Sequence, residues 1–94
     1  MTVPPESVLG LRRGVGFRRI ENEGVVLVSE TSQAIVLNET GTRVLELLDR
    51  KRSVSEILAV LEAEFEVPHA QVNAEVTSFL EKACEAKIVE LVKK

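Results

Sequence analysis

Cys84 and His69 are the side chains best suited to act as nucleophile and base, and each is the only one of its type in the 94 residues. A nucleophile needs a base to take its proton, and the base needs a third group to orient it. The periodicity puts both residues on one helix, about 22 Å apart at 1.5 Å per residue. They do not meet within one chain. Cys84 continues the stripe of Val76 and Leu80 and reads as a small buried or half-buried residue. His69, in the first turn of its helix, reads as solvated. One cysteine excludes an internal disulfide and a zinc site built on cysteines. One histidine excludes a histidine cage within the chain. Glu62, Glu64 and Glu66 lack the Asp-x-Asp pattern and turn glycine of a calcium loop, so they read as a solvated helix face. Gly14-Val15-Gly16 lacks the strand before it, the helix after it and the Lys-Ser/Thr pair of a phosphate loop. The expectation is therefore no catalytic residue, no metal and no cofactor.

Two basic clusters remain, Arg12-Arg13 with Arg18-Arg19, and Arg50-Lys51-Arg52. Twelve Lys+Arg stand against fifteen Asp+Glu, a formal charge of −3. That balance argues against a dedicated nucleic-acid binder, which carries a basic surface. Arg50 to Arg52 follow a helix end, where the negative end of the dipole favours cations. No apolar run approaches the roughly 20 residues that span a bilayer. Met1-Thr-Val-Pro-Pro-Glu has no signal-peptide pattern. The reading is a soluble, cytoplasmic chain, with no membrane and no nucleic-acid partner. Hydrophobic residues at 45% and charged residues at 29% suit a folded domain. With three Phe as the only aromatics, the core must be aliphatic.

The elements follow from pattern and punctuation. Residues 1–14, with Pro4, Pro5, Gly10 and Gly14, have no sustained period and read as a partly flexible arm. Residues 15–92 read as one domain. Its first strand is a weak alternation around Val15 to Ile20. Glu21-Asn22-Glu23-Gly24 reads as a turn. Val25 to Val28 is β-branched and apolar, a strong strand signal. Ser29 to Ser32 is a second turn, and Gln33 to Leu37 a third strand. Short connections favour an antiparallel meander with the second strand in the middle. Asn38 is an N-cap for a helix reaching about Asp49. Ser53-Val54-Ser55-Glu56 is a capping box for a second helix. Pro68 starts a third, with Val72, Val76, Phe79, Leu80 and Ala83 in one stripe. Ile88 to Val92 closes the chain as a short strand or an extended tail. The expected class is α+β: a three-stranded antiparallel sheet followed by three helices, like a winged helix-turn-helix.

In that meander the third strand lies at an edge. Natural edge strands carry Lys, Pro or a bulge against unwanted pairing. Between Glu30 and Glu39 this chain has no charge and no proline. An unguarded apolar edge suits strand addition by a peptide. Two other coverings stay open: the segment Ile88–Val92, or a second copy of the chain in a homodimer.

The order and spacing of several pieces resemble the PqqD family, small proteins that recognise precursor peptides in ribosomal peptide modification. These pieces are Gly14-Val15-Gly16-Phe17-Arg18-Arg19, Leu37-Asn38-Glu39-Thr40-Gly41, Leu45 to Asp49, Ser53-Val54-Ser55-Glu56-Ile57 and Val76 to Leu80. The resemblance spans about Leu11 to Val92. It implies a winged-helix-like fold, no catalysis, and a leader peptide added as a strand. The partner it implies is a modifying enzyme, typically of the radical SAM type, as in pyrroloquinoline-quinone (PQQ) synthesis. Carried onto this chain, the leader pairs with Gln33, Ala34, Ile35, Val36 and Leu37 and packs against Val72, Asn73, Val76, Thr77 and Leu80. The chain departs from the family pattern at Ala34-Ile35, where aromatics are common. It departs again at Arg50-Lys51-Arg52 and Lys87, where a glycine is usual. A winged-helix DNA-binding regulator and a homodimeric adaptor are the alternative functions. The third helix bears Glu75, Glu81 and Glu85 where a DNA reader needs basic side chains.

Overall fold

Two tight turns fold the central sheet. A computed structural model, describing residues 3–93, places them between β2 (Val15–Ile20), β3 (Glu23–Val28) and β4 (Gln33–Leu37). The strands are antiparallel in the order β2-β3-β4, with β3 central as the meander required. The first turn is shorter than the sequence suggested. Ile20 pairs with Glu23, so Glu21 and Asn22 alone make the turn, with Glu21 at φ 57°. Gly24 belongs to the strand, and space rather than φ selects it. A Cβ there would lie 2.7 Å from both Phe17 Cε1 and Thr42 Oγ1. Thr42 is fully buried, and its hydroxyl donates to Asn38 O at 2.7 Å, so it has nowhere to retreat.

The register sorts the sheet into two faces. Phe17, Val26 and Ile35 are aligned across the three strands, as are Arg18, Val25 and Val36. Val26 is fully buried and Val28 nearly so, so the first set faces the helices. The opposite face stays open, with Ile20, Leu27 and Val36 each more than half exposed.

Three helices cover the inner face: α1 (Glu39–Leu47), α2 (Val54–Phe65) and α3 (His69–Glu85). Asn38 Oδ1 caps α1 by accepting from Gly41 N at 2.8 Å. The capping box at α2 is complete: Ser53 Oγ accepts from Glu56 N and Glu56 Oε1 from Ser53 N. Pro68 is the N-cap of α3 rather than its first residue. Val44, Ile57, Leu61, Val76 and Leu80 are buried to 0% exposure and form an aliphatic core.

The N-terminal segment differs from the sequence reading. Within the arm expected at 1–14, Val8–Leu11 form β1, antiparallel to β5 (Val89–Lys93). Leu9 is 1% exposed. Two carbonyls of this segment also satisfy N–H groups at the start of α2: Val54 N donates to Ser7 O and Ser55 N to Pro5 O, both at 2.9 Å. Met1 and Thr2 lie outside the described residues.

Charged side chains tie the sheet to two helices. Arg19 bonds Glu46 at 2.7 Å, and Arg43 bonds Glu46 at 3.4 Å and both Glu64 oxygens at 2.7 and 2.8 Å. The run Glu62 to Glu66 is therefore not simply solvated. Glu62 Oε2 also lies 2.6 Å from His69 Nδ1. The hydrogen bond from Arg43, and then its charge, hold the Glu64 carboxyl below its ordinary value against the opposing effect of partial burial. A folded value below the unfolded one stabilises above the unfolded pKa and loses that stability as pH falls through the folded one. Arg43→Gln is expected to flatten the acid limb of a thermal-unfolding profile below about pH 4.5. The difference should stay within ~1 kcal/mol for so exposed a pair.

Candidate functional site

The free edge of β4 has a determined hydrogen-bonding phase. Ser29 N donates to Gly14 O at 3.0 Å, so Gly14 and Ser29 form a hydrogen-bonded pair. Antiparallel pairs alternate. The odd residues of β3 therefore bond to β2, and Gly24, Val26 and Val28 bond to β4. Their partners are Leu37, Ile35 and Gln33. Ala34 and Val36 then point their N–H and C=O groups away from β3, where no strand follows in the sheet. The segment Ile88–Val92 does not cover this edge, because β5 pairs with β1.

Two cavities lie beyond the two ends of β4. One is a groove of about 350 Å³ lined by Asn38, the residue after β4, with Thr40, Gly41, Glu75, Ser78, Phe79 and Lys82. The other, of about 240 Å³, is lined by Thr31, two residues before β4, with Arg12 to Val15, Val28 to Glu30, Ala86 and Lys87. Glu75 to Ala86 spans about 17 Å, as five strand residues do, so α3 runs from the first cavity to the second. Ile35 and Leu37 are half-buried on the inner face of the sheet, while Ala34 and Val36 are exposed.

The helix residues expected to face a peptide need correction. Val72, Val76 and Leu80 are 4%, 0% and 0% exposed. They belong to the core, although Val72 also borders a cavity of about 310 Å³ between the starts of α1 and α3. Asn73 and Thr77 are accessible, and the Thr77 hydroxyl lies 3.4 Å from Asn73 Oδ1. At 100° per residue, Asn73 points nearly opposite to Glu75, on the side away from the groove. The groove face is Glu75, Ser78, Phe79 and Lys82, a stripe at i, i+3, i+4 and i+7. It lies beside the core stripe at the same spacing, so periodicity alone reports one apolar face and not which flank meets the sheet edge.

Burial pushes the Cys84 thiol above its ordinary value, which lowers its thiolate fraction. Among the described residues no group of three or more His, Cys, Asp or Glu is placed to hold a metal ion. No helix among them is long and apolar enough to cross a membrane.

The sequence profile of the family described as coenzyme PQQ synthesis protein D (PqqD) matches residues 23–89, more than half of the chain. The chain belongs to the PqqD family. Its relatives include the PqqA binding protein of Gluconobacter oxydans (strain 621H), 30% identical over 83 residues, 88% of this chain and 86% of that protein. The PqqA binding protein of Klebsiella pneumoniae (strain 342) is 36% identical over 84 residues, 86% of this chain and 87% of its own. Two solved structures share the PqqD fold closely. TbiB1 in complex with the TbiA(beta) leader peptide superposes with a TM-score of 0.79 at 25% identity, covering 86% of this chain and 94% of TbiB1. The PqqD truncation of Methylobacterium extorquens PqqCD, described as a stand-alone RiPP recognition element, gives 0.78 at 27% identity over 94% of both chains.

Proposed function

We propose that this PqqD-family chain is a non-catalytic module that holds the leader of a ribosomally made precursor peptide as an added strand on β4. It presents that peptide to a modifying enzyme, of the radical SAM type by analogy with the family. The observation that carries this reading is the unpaired edge at Ala34 and Val36, with a cavity bordered by α3 or its C-terminal end beyond each end of the strand. The relatives support it, since two are PqqA binding proteins and TbiB1 was solved with a leader peptide.

Magnitudes assign the work between backbone and side chains. Two outward residues offer four main-chain hydrogen bonds, roughly 2–6 kcal/mol at about 0.5–1.5 each. Micromolar binding needs about 8 kcal/mol. The remainder must come from leader side chains entering the groove against Ile35, Leu37 and Phe79.

The test is an amide chemical-shift titration of the labelled chain with two synthetic peptides. One is PqqA of Klebsiella pneumoniae. The other is the short peptide encoded beside this chain's gene. Shifts are expected at residues 33–37 and at Glu75, Ser78, Phe79 and Lys82. Saturable shifts confined to the outer sheet face or to α2 would overturn the strand-addition reading.

A further inference from the structure

Beyond the leader site itself, and resting on it, we propose that the cavity at the start of β4 takes an acidic side chain of the leader. That Asp or Glu lies one or two residues beyond the segment paired with β4, at its Gln33 end.

Three cations surround this cavity: Arg12, Arg13 and Lys87. Their positions are set by backbone contacts. Arg12 N donates to Ile88 O at 2.9 Å, which brings the β1–β2 connection against the end of α3. Every other arginine except Arg18 has a carboxylate partner: Arg19, Arg43, Arg50 and Arg52 all pair. The side chains of Arg12, Arg13 and Lys87 make no hydrogen bond or ion pair among the described residues. One acid borders the same cavity, Glu30 on the exposed β3–β4 turn. Three unpaired cations against one carboxylate leave the cavity positive in a chain whose net charge is negative.

Lys87 adds a second, conformational observation. It follows α3 in a Schellman motif, with Ile88 N donating to Ala83 O at 2.9 Å and Lys87 N to Cys84 O at 3.1 Å. Its φ is 62°, a left-handed conformation that glycine adopts freely and lysine does not. Four other non-glycine residues share a positive φ, so strain alone singles out nothing. Lys87 differs in bordering this cavity with its ammonium unpaired among the described residues. A penalised residue at a functional surface is the pattern of strain retained for a binding role.

Thr31, two residues before Gln33, lines this cavity, so a leader strand on β4 that continues past the Gln33 end runs toward it. An acid there gains charge-assisted hydrogen bonds from guanidinium donors, whereas a basic residue meets three like charges.

The experiment is selection of a randomised 15-residue peptide library by mRNA display on the full chain and on an Arg12→Gln/Arg13→Gln/Lys87→Gly variant. Peptides from the wild type are expected to share apolar alternation and an Asp or Glu at one flank. Peptides from the variant should keep the alternation and lose the acid. Replacing that acid by Gln in one selected peptide should weaken wild-type binding roughly fivefold, less at high salt, and leave variant binding unchanged. Lys87→Gly alone should raise the melting temperature while weakening the same peptide. Equal acid frequencies from both selections, or equal Gln effects on both proteins, would overturn the proposal. The parent reading fails separately: selected peptides whose binding survives Val36→Pro are not on the β4 edge. Peptides that depend on that edge yet show no acid preference sink only the cavity assignment.

Discussion

Val36→Pro should weaken leader binding by roughly ten- to a hundredfold and leave the domain folded. The expectation rests on hydrogen-bonding phase. The N–H of Val36 points to open solvent at the edge of the sheet, and its side chain is 63% exposed on the outer face. Proline removes that donor and sets its ring where an added strand would lie. Edge strands tolerate proline when the lost N–H faces outward. Ile35→Pro is the contrasting variant. Ile35 pairs with Val26 through a hydrogen-bonded pair, so proline there breaks the β3–β4 ladder and destabilises the fold itself. Arg12→Ala should cost the leader only about twofold, as expected of one partly exposed charge. Calorimetric titration gives the affinities, and circular dichroism melts show which variants stay folded. An unchanged dissociation constant for a folded Val36→Pro protein would rule out strand addition at β4.

Two neighbouring residues of α3 should give opposite outcomes. Leu80 is fully buried. Its truncation to Ala should remove about 2–5 kcal/mol of stability, a large part of the 5–15 kcal/mol typical of a small domain. The folded fraction should bind leader with unchanged affinity, because nothing in the groove touches Leu80. Phe79 is half-buried and lines the groove, with its ring packed against Gly41. Phe79→Ala should destabilise by only about 1–2 kcal/mol, in proportion to its partial burial, and weaken the leader roughly tenfold. Urea melts and titrations on the same samples separate the effects. If Leu80→Ala impaired binding by the folded protein more than Phe79→Ala, the division of α3 into core and groove faces would be wrong.

That division marks how far the chain can be read without coordinates. The two hairpins were legible because apolar runs such as Val25 to Val28 are bounded by residues that accept turns. The α2 start was legible because Ser53 and Glu56 satisfy each other's backbone donors. The unguarded edge at Gln33–Leu37 followed from the absence of charge and proline. Three things did not follow. β1 carries no strand signal because Val8, Leu9 and Gly10 are all buried and so show no alternation, and its partner β5 lies at the far end of the chain. The outward phase of Ala34 and Val36 depends on which pairs are hydrogen-bonded, which side-chain type does not encode. The flank of α3 that lines the groove, with Glu75, Ser78 and Lys82, shares its period with the buried flank of Val72, Val76 and Leu80, so periodicity does not tell the two apart.

The β1–β5 ribbon has a consequence for how such a domain is joined to other chains. Its inner end, at Leu11 and Val89, adjoins the cavity at Arg12 and Lys87. Its outer end sets Val8 opposite Lys93, about 13 Å away along the strands. From Val8 the N-terminal segment turns onto the start of α2, where the Ser7 and Pro5 carbonyls accept from Val54 N and Ser55 N and Val3 is buried. Neither segment pairs with β4, so a tether joined on either side leaves that edge unpaired, and linker length then sets the effective concentration at an active site. The same fold is suited to act as a free carrier or as a fused module without change to its binding edge.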